Sequence, residues 1–207
     1  MNITVFGATG AIGQLAVSRL LREGHNVTAY VRSPSKVPAA WTDRVSVVVG
    51  ELGDAPAVAD AVVSTLGPSM DRRAAGLPLV DGTRNILAGM DRHGVRRFIG
   101  NGTPSVLDPR ESPTLQTRVI GRMARTLLPR AYREMLGMAS LIKGSGLDWT
   151  IVRFIAPGNG PAKGVRREGF FGTDRIGWRV RRADIAAFTA AQIVRPDYVR
   201  AAPAISN

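Results

Sequence analysis

The sequence contains no cysteine. That excludes a disulfide framework, a thiol nucleophile and any cysteine-ligated zinc or iron–sulfur centre. Histidine is almost as scarce: His25 and His93 each sit in a Gly-containing polar stretch that reads as a loop. No apolar run approaches the ~20 residues that span a bilayer. The residues before the first strand pattern, at Ile3, have neither the basic region nor the long apolar stretch of a signal peptide. These absences lead to the expectation of a cytoplasmic protein with no membrane partner.

What is abundant is arginine. Of 28 basic residues only Lys36, Lys143 and Lys163 are lysines, and the formal net charge is +12 against 16 acids. Residues 1–100 carry 11 basic and 8 acidic side chains and residues 101–207 carry 17 and 8, so the excess rises from +3 to +9. A basic face attracts phosphate. The cations are dispersed through helical patterns without a nucleic-acid-binding motif, however, so an anionic small-molecule substrate is the better expectation.

The 207 residues suit one domain with a core of its own. Apolar strand patterns at 1–6, 27–31, 45–49, 61–66, 97–100 and 148–153 alternate with helical spacing over 14–21, 79–90, 117–143 and 182–193. Alternation of this kind predicts right-handed βαβ crossovers and a parallel sheet. The expected fold class is therefore α/β: a Rossmann-type, doubly wound parallel sheet with helices on both faces, as a single domain over 1–207. Residues 101–140 and 154–181 are expected on the substrate side. Residues 157–179, rich in Gly, Pro and Arg, read as a loop region with one or two short strands or as a plain surface excursion.

The first strand ends in Gly7-Ala8-Thr9-Gly10-Ala11-Ile12-Gly13, which opens directly into a helix. A Gly-x-x-Gly-x-x-Gly turn alone is a weak signal, but strand–turn–helix context makes it a dinucleotide-binding turn. Gly7 permits the tight turn, Gly10 lets the backbone approach a pyrophosphate, and Gly13 allows close helix–strand packing. The helix N-terminus supplies free N–H groups and the positive end of its dipole. An NAD-selective site usually carries an Asp or Glu at the end of the second strand. Here that strand ends Tyr30-Val31-Arg32-Ser33-Pro34-Ser35-Lys36. Arg32 suits a 2′-phosphate through its planar fork, with Lys36 as a second charge and Ser33 as a donor, so NADP(H) is expected over NAD(H).

Together these motifs resemble the NAD(P)-binding, NmrA-like branch of the atypical short-chain dehydrogenases/reductases, in the group with flavin and biliverdin-IXβ reductases. The resemblance covers essentially the whole chain. It also rests on Val49-Gly50-Glu51-Leu52, Leu66-Gly67-Pro68, Gly82-Thr83-Arg84-Asn85-Ile86 and Gly146-Leu147-Asp148-Trp149-Thr150-Ile151-Val152-Arg153. It implies that Arg32 and Lys36 hold the 2′-phosphate, that Glu51 and Leu52 flank the adenine, and that Leu66 and Gly67 lie beside the ribose and nicotinamide. The chain departs from the family in three ways. The stretch from Gly50 to Gly67 is short, so the helix after the third strand is expected to be abbreviated. The Tyr-x-x-x-Lys pair is missing, because Tyr132 is followed four residues later by Leu136. Glu134-Met135 stands where relatives often have Asp-His.

The fifth strand runs out through Asn101-Gly102-Thr103-Pro104-Ser105 at the edge where open α/β sheets bind ligands. Gly102 occupies a place where relatives often carry a hydroxyl, so Thr103, Asn101 and Ser105 compete for the role beside the nicotinamide. Without a lysine partner Tyr132 is expected to position rather than to transfer a proton. Arg153 and Phe154, at the end of the sixth strand, are expected to face the nicotinamide carboxamide or an acidic substrate. Hydride transfer asks little of the protein beyond orientation and exclusion of water. The expected function is accordingly an NADPH-dependent oxidoreductase acting on a flavin, a quinone or another conjugated small molecule. A non-redox member, either a redox-sensing regulator or an isomerase or cyclase, stands as the alternative. A monomer or homodimer is expected.

Overall fold

A computed structural model describes residues 1–50, 59–68, 76–112 and 114–207. Glu51, Leu52 and the abbreviated helix expected after the third strand lie outside the described residues. Strands β1 (Asn2–Phe6), β2 (Asn26–Val31), β3 (Ser46–Val49), β4 (Ala61–Ser64), β5 (Arg97–Gly102) and β6 (Asp148–Arg153) are all parallel neighbours. Their order is β3-β2-β1-β4-β5-β6, which bears out the Rossmann-type reading. The order reverses between β1 and β4. That is the switch point at which open sheets leave a crevice.

The alternation of side chains along these buried strands divides the core between two faces. Val5, Ile99 and Val152 pack with helix α1 (Gly13–Arg22) and helix α5 (Arg182–Ala191), through Val17, Leu20, Ile185 and Phe188. Phe6, Phe98 and Ile151 pack on the other face with α2 (Pro78–Arg92) and α4 (Pro129–Gly144), through Ile86, Met90, Met135 and Ile142. Each of these side chains is almost wholly removed from water, which stabilises the fold by roughly 1.5–3 kcal/mol apiece as an upper estimate.

Two features depart from the sequence reading. The helical region expected over 117–143 is broken into α3 (Leu115–Leu127) and α4. The break falls at Leu128 (φ −132°, ψ 55°), because the ring of Pro129 disfavours helical geometry in the residue before it while suiting the first position of a new helix. The sheet is also wider than expected. Beyond β6 it continues through β10 (Ala204–Ser206), parallel to β6, and then β8 (Arg167–Gly169), antiparallel to β10. A separate two-stranded pair joins β7 (Ala156–Gly158) to β9 (Arg179–Arg181), so the segment 157–179 does contain short strands.

Candidate functional site at the switch point

Register fixes which residues leave the sheet together. Phe6 is level with Tyr30 on one side and with Ser64 on the other, Ser64 with Gly100, and Gly102 with Arg153. The turn after β1, Arg32 after β2, Thr65-Leu66-Gly67 after β4, Thr103 after β5 and Phe154 after β6 therefore emerge along one edge.

The glycine turn is shaped by close approach. Gly7 has φ +73°, where only glycine is unstrained, and a Cβ there would stand 2.9 Å from Thr65 Oγ1 and 3.0 Å from the Leu66 nitrogen. A Cβ on Gly13 would overlap the Gly7 carbonyl oxygen and lie 2.8 Å from that of Ala8. Gly10 is exposed, and its amide donates to the Gly7 carbonyl at 2.9 Å. The Thr65 hydroxyl donates to the Gly7 carbonyl at 3.0 Å, tying the turn to the end of β4. Gln14 holds the Thr9 carbonyl at 3.0 Å. The amides of Ala11, Ile12 and Gly13 meet no acceptor among the described residues. Free amides at a helix N-terminus are donors aimed at an anion, so the residues present fit a dinucleotide pyrophosphate.

Arg32 and Lys36 are exposed and have no acidic partner among the described residues. Ser33 is half-buried, its hydroxyl 2.9 Å from that of Ser35. Leu66 is half-buried and Gly67 exposed at the switch point.

On the far side of that edge lies a cleft of ≈ 270 Å³ lined by Ser105, Asp108, Glu111, Thr117, Tyr132 and Phe171, among others. Of the sequence candidates it takes in Tyr132 and Ser105. Thr103 is half-buried close by in sequence but is not part of the lining. Asn101 points to the opposite face of the sheet, where its Oδ1 accepts from the Thr189 hydroxyl of α5 at 3.1 Å. Gly102 carries no side chain for a steric reason. A Cβ there would stand 2.7 Å from the Ile151 methyl and 3.5 Å from Cγ of Arg153.

Arg153 itself needs correcting. Read as a group that faces nicotinamide or an acidic substrate, it is instead fully buried. Its Nε donates to the Ala202 carbonyl and its Nη1 to the Val106 carbonyl, both at 2.6 Å, and Nη1 pairs with Glu111 at 2.6 Å. Its guanidinium lies 5.1 Å from the Phe171 ring centre, under the cleft. Burial lowers its pKa and the Glu111 carboxylate opposes that shift. Phe154 packs partly into the core and donates its amide to the Gly102 carbonyl at 3.4 Å.

Sequence reasoning missed Glu111 and Asp108. The buried Asp108 carboxylate accepts the Ala202 amide at 2.8 Å and that of Arg110 at 3.0 Å. Lys143, with a pKa lowered chiefly by burial, donates to the Leu107 carbonyl at 2.5 Å. The one signal available was Arg153 itself, a cation inside the otherwise apolar end of β6 that needs an acid if buried. Among the described residues no cluster of His, Asp and Glu could hold a metal ion.

Comparison with known proteins agrees with this geometry. A family model described as NAD(P)H-binding matches residues 7–196. Among curated proteins, a 3-diazoavenalumate denitrifying reductase of a Streptomyces species is 30% identical over 131 residues, 56% of this chain and 42% of that protein. A 2-alkyl-3-oxoalkanoate reductase of Stenotrophomonas maltophilia is 32% identical over 115 residues, 51% of this chain and 34% of that protein. The chain thus matches less than half the length of these relatives. Two solved structures cover the whole chain and show the same fold. A short-chain dehydrogenase/reductase of Veillonella parvula in complex with NADP has a TM-score of 0.78, at 20% identity and 94% of its own length. An anaerobillin reductase of Escherichia coli gives 0.75, at 19% identity and 97% of its own length.

Proposed function

The chain belongs to the NAD(P)H-binding family, and from that premise we propose that it is an NADPH-dependent reductase of a flavin, quinone or other conjugated small molecule. The observation that carries the cofactor choice is the pair of unpartnered, exposed cations after β2. Arg32 and Lys36 follow the end of β2, the strand that pairs with the end of β1 from which the glycine turn leaves, and no acid stands between Tyr30 and Lys36 to receive a ribose hydroxyl. Bound NADPH would supply the hydride. The chain's own part is to hold the pyrophosphate on those amides and the 2′-phosphate on Arg32, Ser33 and Lys36. Glu51, Leu52, Leu66 and Gly67 are assigned to the adenine, ribose and nicotinamide portions. Thr103, Ser105 and Tyr132 are assigned to orient the acceptor, with the substrate cleft drawn from segments 101–140 and 154–181. No lysine stands four residues after Tyr132, which favours an acceptor able to take its proton from water.

The experiment is a binding titration of NADPH and NADH against Arg32→Ala. Loss of a charge-assisted phosphate contact costs on the order of 1.5–3 kcal/mol, so NADPH affinity falls by roughly 10- to 150-fold while NADH affinity stays level. Equal NADPH affinity in the two proteins refutes the 2′-phosphate assignment. The missing lysine also favours a second reading, a non-redox member of the family. An acceptor panel that leaves the reduced-nicotinamide absorbance unchanged at saturating NADPH selects that reading.

A further inference from the structure

Helix α3 displays to solvent what a helix packed in a globular protein hides. No described side chain of α3 is buried. Leu115, Val119, Met123 and Leu127 are 80%, 48%, 52% and 69% exposed. Spaced four residues apart, they form a single stripe along the helix. Leu128 extends the stripe at 49% exposure. The inner side, with Thr117, Arg118 and Gly121, lines the cleft. The helix is fixed before it meets anything, since Thr114 and Thr117 form a reciprocal capping box at its start.

The charge around this stripe has one sign. Arg118, Arg122, Arg125, Arg130 and Arg133 follow one another with no acid between Glu111 and Glu134. Arg118, Arg122, Arg125 and Arg133 have no acidic partner among the described residues. A second copy of the chain laid on this face would bring the exposed Arg122, Arg125 and Arg133 against their own counterparts, a like-charge arrangement that opposes self-association. The complement has to be negative and at the same time accept apolar side chains without a matching groove. A bilayer surface with anionic headgroups meets both conditions: apolar residues enter the acyl boundary, and arginine stems let the guanidinium reach back to the phosphates.

We propose that α3 docks the protein on a membrane surface rich in anionic phospholipid. Leu115, Val119, Met123 and Leu127 are inserted at the headgroup boundary, and Arg122, Arg125 and Arg133 hold lipid phosphates. The helix lies on the bilayer rather than crossing it; among the described residues no helix is long and apolar enough to cross. The reading departs from the expectation of no membrane partner, which rested on the lack of a spanning or signal segment. It does not depend on the reaction catalysed.

The test is co-sedimentation of the full chain with vesicles of phosphatidylcholine alone and of equimolar phosphatidylcholine and phosphatidylglycerol. Binding at least about tenfold stronger to the mixed vesicles is expected, weakening as salt is raised. Because a +12 protein adheres to any anionic surface, the deciding variant removes apolar area. Val119→Gln with Met123→Gln keeps every charge and is expected to reduce binding by about tenfold. Arg122→Gln with Arg125→Gln is expected to do the same through charge. Both sites are exposed, so thermal melts should match the parent and exclude misfolding. The proposal is overturned if the two vesicle types pellet the protein equally, or if the apolar variant binds as well as the parent. It is also overturned if light scattering finds a dimer that the apolar variant dissolves, which assigns the stripe to a second copy.

Discussion

Replacing Arg153 with methionine tests whether this residue holds the structure or the ligand. The side chain is fully buried, and its partner Glu111 is only 8% exposed. Arg153→Met preserves much of the volume but strips three contacts at 2.6 Å: the Ala202 carbonyl, the Val106 carbonyl and the Glu111 carboxylate. The larger cost is what stays behind, a mostly buried carboxylate in the cleft wall whose remaining bond is the Asp108 amide at 3.3 Å. Removing one member of a buried ion pair typically costs about 3–5 kcal/mol. In a chain of this size 1 kcal/mol moves the melting midpoint by roughly 2–4 °C, so a fall of roughly 6–20 °C is expected. Adding Glu111→Leu removes the stranded charge. The double variant should then recover at least about 2 kcal/mol, because an ion pair replaced as a whole is far less costly than one broken. Thermal and urea melts followed by circular dichroism give both values, with NADPH affinity measured alongside. A melting point within about 2 °C of the parent, or a loss of ligand affinity without loss of stability, refutes the structural role.

Gly13→Ala forces a methyl group onto the Gly7 and Ala8 carbonyls. Overpacking of this kind costs about 1–3 kcal/mol, and because those carbonyls shape the turn, cofactor affinity should fall with the melting point. A variant that melts and binds like the parent would show that the turn is not tightly packed. Tyr198, beside Glu168 at 3.3 Å, has its phenol pushed up to about 12, first by burial and then by that carboxylate. An unfolded tyrosine titrates near 10, so the native state favours the neutral phenol. Its contribution to stability is whole below about pH 10 and is lost as the pH rises towards 12. A phenolate absorbance titration should contain a late step that Tyr198→Phe removes; an unchanged curve in that variant contradicts the assignment.

The parts of the fold legible in the sequence are those that neighbouring residues determine. Val27 to Val31 is an apolar run stopped by a polar turn, and its strand follows from burial on both faces. The turn from Gly7 to Gly13 is legible because glycine spacing, strand and helix agree. The break at Pro129 was equally local, yet the helical spacing on both sides concealed it. By contrast β10 is only three residues long, and its partners β6 and β8 lie far away in the chain, so no local pattern marks it. The fate of Arg153 was hidden for the same reason. An arginine ending a strand reads as available until Glu111 and the Ala202 carbonyl arrive from distant segments to enclose it. Asn101 lies in β5, which runs two residues past the expected 97–100, and the face it takes depends on Thr189, which α5 brings across the sheet.

Strand β10, wedged between β6 and β8, has a bearing on the order in which a nascent chain acquires its parts. The residues that touch the glycine turn, through Thr65 and Leu66, are all synthesised by the end of β5. The floor of the cleft cannot close so early. Arg153 and Asp108 wait in water for the Ala202 carbonyl and amide, and β8 waits for Ile205 before it has a neighbour. The two buried charges are thus enclosed only when the segment around Ala202 is seated against β6 and the loop after β5.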